Sequence, residues 1–237
     1  MRRIVLMCIK NILFLPWWII QIFSYAGKND RHTEEQRYAL VKKIVLRANK
    51  SGKVTIASDG QENLPEENGF IMYPNHQGLF DVLAIIECCD KPVSVVLKKE
   101  VKDIFVLKQV FKILRAQVMD REDVRQSLGV ITQVAKEVSE GRNYVIFPEG
   151  TRSRNGNNLV DFKPGSFKAA VKAKAPIVPV ALLDSYKPFD SHSINPVTVQ
   201  VHYLTPMYYE EYKGMKTQEI SSVIKERIQK KIEECEK

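Results

Sequence analysis

Two short runs in this chain gather side chains that can move protons and hold anions. Tyr73 to Asp81, YPNHQGLFD, sets His76 five positions ahead of Asp81. Asn143 to Arg154, NYVIFPEGTRSR, ends an apolar stretch with proline and follows it with Glu149, Gly150, Thr151, Arg152 and a second arginine. An aspartate bonded to one imidazole nitrogen fixes the tautomer, leaves the other nitrogen as a base and stabilises the imidazolium that forms. No serine of a GxSxG type accompanies the pair, so the nucleophile it would activate is a hydroxyl of the substrate, and the reaction is acyl transfer to that hydroxyl. The second run suits phosphate and hydroxyl recognition. Guanidinium groups bind phosphate oxygens bidentately, Gly150 lets backbone approach a ligand, and Glu149 can hold Arg152 or a substrate hydroxyl. The oxyanion of such a reaction would be met by backbone N–H groups around Gly78 and the following helix start.

Geometry restricts how His76 and Asp81 can meet. On one continuous helix, five residues turn the side chains about 140° apart. His76 must therefore lie ahead of the helix, in a loop that Pro74 enters extended and Gly78 allows to bend. The elements that carry this loop are legible as short β-branched runs alternating with helical periodicity. Strands are expected at 54–58, 70–73, 93–97, 117–119, 144–147, 177–182 and 197–203. Helices are expected at 79–88, 101–114 in broken form, 123–139, 166–174 and 217–236. Continuously apolar runs such as PIVPVAL belong to strands covered on both faces, which gives an α/β fold with a mostly parallel central sheet flanked by helices.

The residues ahead of this pattern are of another kind. Arg2 and Arg3 precede IVLMCIKNILFLPWWIIQIFSYA, which Lys10 and Asn11 divide and Pro16 interrupts. A spanning helix needs about 20 unbroken apolar residues, so an interfacial or half-inserted segment is expected. Trp17 and Trp18 suit the headgroup boundary, and Arg2, Arg3 and Lys10 are expected to reach lipid phosphates. Lys10 and Pro16 also argue against a secretory signal, as does the odd number of cysteines that cleavage would leave. Thr33 and Gln36 give a capping box for a second amphipathic helix with a basic face. The expected organisation is a two-helix membrane-association module over residues 1–50 and a catalytic domain over 51–237.

Composition sets the remaining bounds. A net charge of +8 from 36 Lys and Arg against 28 Asp and Glu favours an anionic partner: lipid, phosphorylated substrate or acidic carrier protein. Charge alone admits nucleic acid, but a His-Asp pair beside a Glu-Gly-Thr-Arg loop does not fit that partner. The four cysteines, at 8, 88, 89 and 235, have neither zinc-site nor disulfide spacing. No GxGxxG, GxxxxGK[ST] or HExxH occurs, so nucleotide-cofactor and zinc-protease chemistry lack a motif.

Asn75 to Asp81 together with Phe147 to Ser153 resemble the NHxxxxD and FPEGTRS signatures of the glycerolipid acyltransferases, in their 1-acyl-sn-glycerol-3-phosphate acyltransferase (PlsC-like) branch. Val118-Met119-Asp120-Arg121 and Ile177-Val178-Pro179-Val180-Ala181 resemble two further family blocks, and the similarity in pattern spans about residues 53 to 206. The resemblance implies His76 as general base, Asp81 as its orienting partner, and Glu149, Gly150, Thr151 and Arg152 in the acceptor site. It places Arg121 as a phosphate-binding arginine and Lys98 as a lysine near the phosphate, with Lys99 adjacent. The family usually has glycine six positions before that arginine; here the place is held by Arg115. The implied reaction moves a fatty acyl chain from acyl-CoA or acyl carrier protein to the sn-2 hydroxyl of lysophosphatidic acid, giving phosphatidic acid, with no metal or resident cofactor. The implied setting is the cytoplasmic face of the cell membrane. The alternatives are another lysophospholipid or glycerol-3-phosphate as acceptor, or a non-catalytic membrane lipid-binding protein.

Overall fold

The computed structural model describes residues 2–27, 31–99, 105–120 and 122–237. Three helices come first: α1 (Arg2–Lys10), α2 (Leu15–Tyr25) and α3 (Glu34–Ser51). Strand β1 (Val54–Asp59) opens the α/β region, followed by β2 (Ile71–Pro74), α4 (Asp81–Cys88), β3 (Val93–Lys98), α5 (Phe105–Ile113) and β4 (Gln117–Met119). The chain continues through α6 (Val124–Ser139), β5 (Asn143–Val145), α7 (Lys168–Ala173), β6 (Ile177–Leu183), α8 (Lys187–Asp190), β7 (Val197–Tyr203), α9 (Tyr209–Tyr212) and α10 (Thr217–Cys235).

The strands form one sheet in the order β1-β7-β6-β2-β5-β3-β4. All neighbours are parallel except β6 and β7, so β1 and β7 run opposite to the other five strands. Side chains of alternate residues feed two cores, one on each sheet face. Phe70 and Met72 join α3 and α4, whereas Ile71 and Tyr73 join α6, α7 and α10. Burial on both faces explains why β2 and β6 read as unbroken apolar runs. The mostly parallel sheet flanked by helices matches the sequence reading. At Arg115 the backbone is left-handed, with φ 50°, a conformation that glycine adopts without cost. That is the physical reason a glycine suits this place and an arginine is strained in it.

The amino-terminal run is two helices, α1 and α2, that meet at a bend of 97°. The bend follows from the residues between them. Asn11 is buried; its amide donates to the Met7 carbonyl at 2.8 Å and to Ser51 Oγ at 2.7 Å, while its oxygen accepts from Arg47 Nε at 3.0 Å. Pro16 then stands in the first turn of α2, where its missing N–H costs nothing. Helix α3 starts at the expected capping box, with Thr33 and Gln36 bonded reciprocally. Its Tyr38, Leu40, Val41 and Val45 pack into the same core as β2 and α4. Among the described residues no single helix is long and apolar enough to cross a membrane. The outer faces of α1 and α2 and the turn between them leave Ile9, Ile12, Leu13, Trp17 and Ile20 exposed, Leu13 to 87%. Two expectations need correction: Arg3 and Trp18 are buried, so neither reaches outward as Arg2 and Trp17 do.

Candidate active site

The site forms where β2 and β5 end side by side. Both strands are parallel and adjacent, so their carboxyl-terminal loops emerge at the same sheet edge and bring the two sequence runs together. The β2 loop is fixed to β6 by side-chain amides. Asn75 Nδ2 donates to the Leu182 carbonyl at 2.9 Å and Asn75 Oδ1 accepts from the Leu182 N–H at 2.7 Å. Gln77 Nε2 donates to the Leu182 carbonyl and to Asn157 Oδ1, both at 2.9 Å, while its Oε1 accepts from the Ser185 N–H at 2.8 Å.

His76 lies in this loop, ahead of α4, as the 140° argument requires. Its Nδ1 is 2.7 Å from Oδ2 of Asp81, the first residue of α4. The imidazole stacks on Phe147 with ring centroids 4.2 Å apart and retains about a fifth of its surface (21%). Asp81 is completely buried, a costly place for a carboxylate unless donors surround it. They do: the Gln77 N–H at 2.7 Å, the Gly78 N–H at 3.1 Å and the Ser185 hydroxyl at 2.5 Å all donate to Asp81, alongside the His76 ring. The bonds to Asp81 take up the N–H of Gly78, which corrects the expectation that it serves an oxyanion. Space at Gly78 is tight, since a Cβ there would stand 3.1 Å from Tyr186 Cα and 3.2 Å from Asp190 Oδ2.

The β5 loop supplies the other half. Gly150 is left-handed at φ 73°, which turns the chain directly after Glu149. The sequence pairs Glu149 with Arg152 or a substrate hydroxyl; in the structure its Oε1 instead accepts the His76 N–H at 2.9 Å. Arg152 turns to Asp190, Nη1 to Oδ1 3.8 Å, at half-exposed positions. Glu149 is 1% exposed, and its Oε2 has no hydrogen-bond partner among the described residues, nor has the buried Ser153 Oγ nearby in the chain. Burial pushes the Glu149 carboxyl up to about 7, with repulsion from Asp81 adding to it and the N–H groups of His76 and Val160 opposing it. The Ser153 N–H donates to the His76 carbonyl at 2.8 Å, which ties the two loops together a second time.

The remaining expected residues are placed less closely. Thr151 is exposed on the β5 loop. Lys98 ends β3, two strands from β2 at the same sheet edge, and is in register with Met119 of β4. At normal strand spacing that is roughly 10 Å across the sheet. Arg121 lies outside the described residues. Sequence reasoning missed Ser185, Asn157 and Asp190. Ser185 and Asp190 follow β6, Asn157 follows the β5 motif, and no spacing rule links any of them to the histidine.

A partly exposed histidine oriented by a buried aspartate lies beside a carboxylate at the edge of an α/β sheet, an arrangement that can take a proton from a hydroxyl. Residues 55–183, more than half the chain, match the family model described as Acyltransferase, and the chain belongs to that family. Its relatives include the 1-acyl-sn-glycerol-3-phosphate acyltransferase of Borreliella burgdorferi, 29% identical over 182 residues, covering 76% of this chain and 72% of that protein. The enzyme of the same name from Escherichia coli strain K12 is 29% identical over 168 residues, 70% of this chain and 68% of its own. The fold is shared with the crystal structure of the 1-acyl-sn-glycerophosphate (LPA) acyltransferase PlsC from Thermotoga maritima, at a TM-score of 0.80, 21% identity, and coverage of 99% and 96% of the two chains. The names of these relatives are those of the PlsC-like branch that the motifs of this chain resemble.

Proposed function

We propose that this protein transfers a fatty acyl chain from an acyl thioester, acyl-CoA or acyl carrier protein, to the sn-2 hydroxyl of lysophosphatidic acid, giving phosphatidic acid. The observation that carries the reading is the His76-Asp81 pair: a buried, fully satisfied carboxylate holding Nδ1 of a partly exposed imidazole. With Nδ1 held, Nε2 is the nitrogen that takes the hydroxyl proton as the oxygen attacks the thioester carbon. The tetrahedral intermediate collapses by expelling the thiolate, which receives the proton from the imidazolium or from water. Arg152, Arg121 and Lys98 are assigned to the acceptor phosphate; Glu149, Gly150 and Thr151 shape the acceptor site. The mechanism uses no metal or resident cofactor.

Residues 1–50 act as the membrane-association module and 51–237 as the catalytic domain in this reading. The exposed apolar faces of α1 and α2 seat on the cytoplasmic leaflet, where both lipids are found, and the positive charge draws the enzyme to anionic lipid. The test is thiol release from an acyl thioester on anionic vesicles, with and without lysophosphatidic acid, for the wild type and His76→Ala. Acceptor-dependent release that the variant loses is the expected result. Vesicle binding without release from either donor type would replace the reading with a lipid-binding one.

A further inference from the structure

Arg3 has no part in the reaction described above, yet its side chain is the most completely engaged charge at the amino terminus. It stands in the first turn of α1 and is 1% exposed. Among the described residues its guanidinium donates to main-chain carbonyls from two separate parts of the fold. Gly52 at 2.6 Å and Lys53 at 3.5 Å lie at the turn into β1. Pro188 at 3.1 Å, Ser193 at 3.2 Å and Asn195 at 2.8 Å lie in the stretch joining β6 to β7. A planar fork of five N–H groups can span two segments in this way, and a lysine ammonium cannot.

The same stretch carries supports of the active site. Ser185 donates to Asp81, Asp190 faces Arg152, and Phe189 meets the Phe80 ring edge-on at 5.2 Å between centroids. One side of residues 185–195 thus holds the carboxylate of the dyad and the loop arginine, while its carbonyls are gripped by the helix that opens the exposed apolar face. We propose that Arg3 is a positioning residue that couples bilayer seating of α1 and α2 to the geometry of the His76-Asp81 site through residues 185–195. The proposal rests on the membrane-docking and acyl-transfer reading above. Seating α1 restrains its first turn. Through the carbonyls of Pro188, Ser193 and Asn195 it restrains this strap, residues 185–195, and so holds Ser185 on Asp81 and Asp190 beside Arg152.

Two measurements on the full chain test this. The first is kcat at saturating acceptor, on phosphatidylglycerol-containing vesicles and with a monomeric short-chain lysophosphatidate free of vesicles, using an acyl-CoA donor. Wild type turns over faster on vesicles. Arg3→Lys, which keeps the charge and loses the fork, lowers the vesicle kcat roughly 10- to 100-fold, the range that small misplacements remote from the chemistry produce, with vesicle flotation and cooperative unfolding preserved. An unchanged ratio of the two rates in Arg3→Lys, or a loss matched by the fraction of enzyme no longer bound, overturns the proposal. The second needs neither activity nor a variant: amide hydrogen exchange over 184–196, with and without vesicles lacking acceptor. Slower exchange on vesicles supports the coupling, and unchanged exchange overturns it. Slower exchange without any acyl transfer keeps the coupling and removes the reaction assigned to the site.

Discussion

Replacing Glu149 by glutamine should make the protein less sensitive to rising pH, because the native fold keeps this carboxyl protonated well above its ordinary range. The group is 1% exposed, one oxygen lacks any partner among the described residues, and burial pushes its pKa from an ordinary 4.5 up to about 7. Between those values the folded state keeps a proton that the unfolded state has released, so stability falls as pH rises and levels off above about 7. At 1.36 kcal/mol per pKa unit, the full cost is about 3 kcal/mol, and about 2 to 3 kcal/mol of it develops between pH 5 and 8. Glutamine cannot ionise, and its carbonyl oxygen can still accept the His76 N–H. The assay is urea unfolding of both proteins at several pH values across that interval, followed by tryptophan fluorescence. Taking the difference between the proteins cancels the titration of every other group. Glu149→Gln minus wild type should rise by about 2 to 3 kcal/mol from pH 5 to 8; a difference that stays constant within about 0.5 kcal/mol would refute the reasoning.

Other changes probe the remaining parts of the site and the anchor. Asp81→Asn should lower turnover by roughly 10²- to 10⁴-fold, the range for losing a positioned base, while circular dichroism stays native. Ser185→Ala removes one charge-assisted donor from a buried carboxylate and should cost about 1.5 to 3 kcal/mol in urea unfolding, an effect absent if Asp81 were solvated. Gly78→Ala should depress kcat more than stability, since its Cβ would press on the backbone at Tyr186 and on Asp190; wild-type kinetics in this variant would show that the strap yields freely. Leu13→Glu with Ile20→Glu should reduce partition onto anionic vesicles by at least tenfold, as two exposed apolar side chains are worth more than 1.4 kcal/mol together when buried in lipid; unaltered flotation would remove α1 and α2 from the docking surface.

The residues of the chain settled much of this before any packing was known. The seven strands were legible because β2 and β6, buried on both faces, leave only apolar residues along their length, and the helices because their one-sided burial repeats at 3.6 residues. The placing of His76 ahead of α4 followed from helix geometry alone. The capping box at Thr33 is a local device, and it formed as written. What the chain could not disclose are the partners that come from distant segments. Whether Glu149 meets Arg152 or His76 depends on the pairing of β2 with β5, a tertiary fact with no local signal. Ser185 and Asp190 join the site because β6 lies beside β2 and ends at the same edge, and Asn157, beyond β5, joins it by bonding both Gln77 and the Asp184 N–H. Arg3 reads as one more basic residue before an apolar run, which suggests lipid. Only the tertiary structure turns it inward, where the folded loops set five carbonyls around a guanidinium fork on α1 that can donate to all of them. Types and spacing thus determined which residues do chemistry and which elements carry them, whereas the fold decided which polar group satisfies which, since that choice is made by segments far apart in the chain.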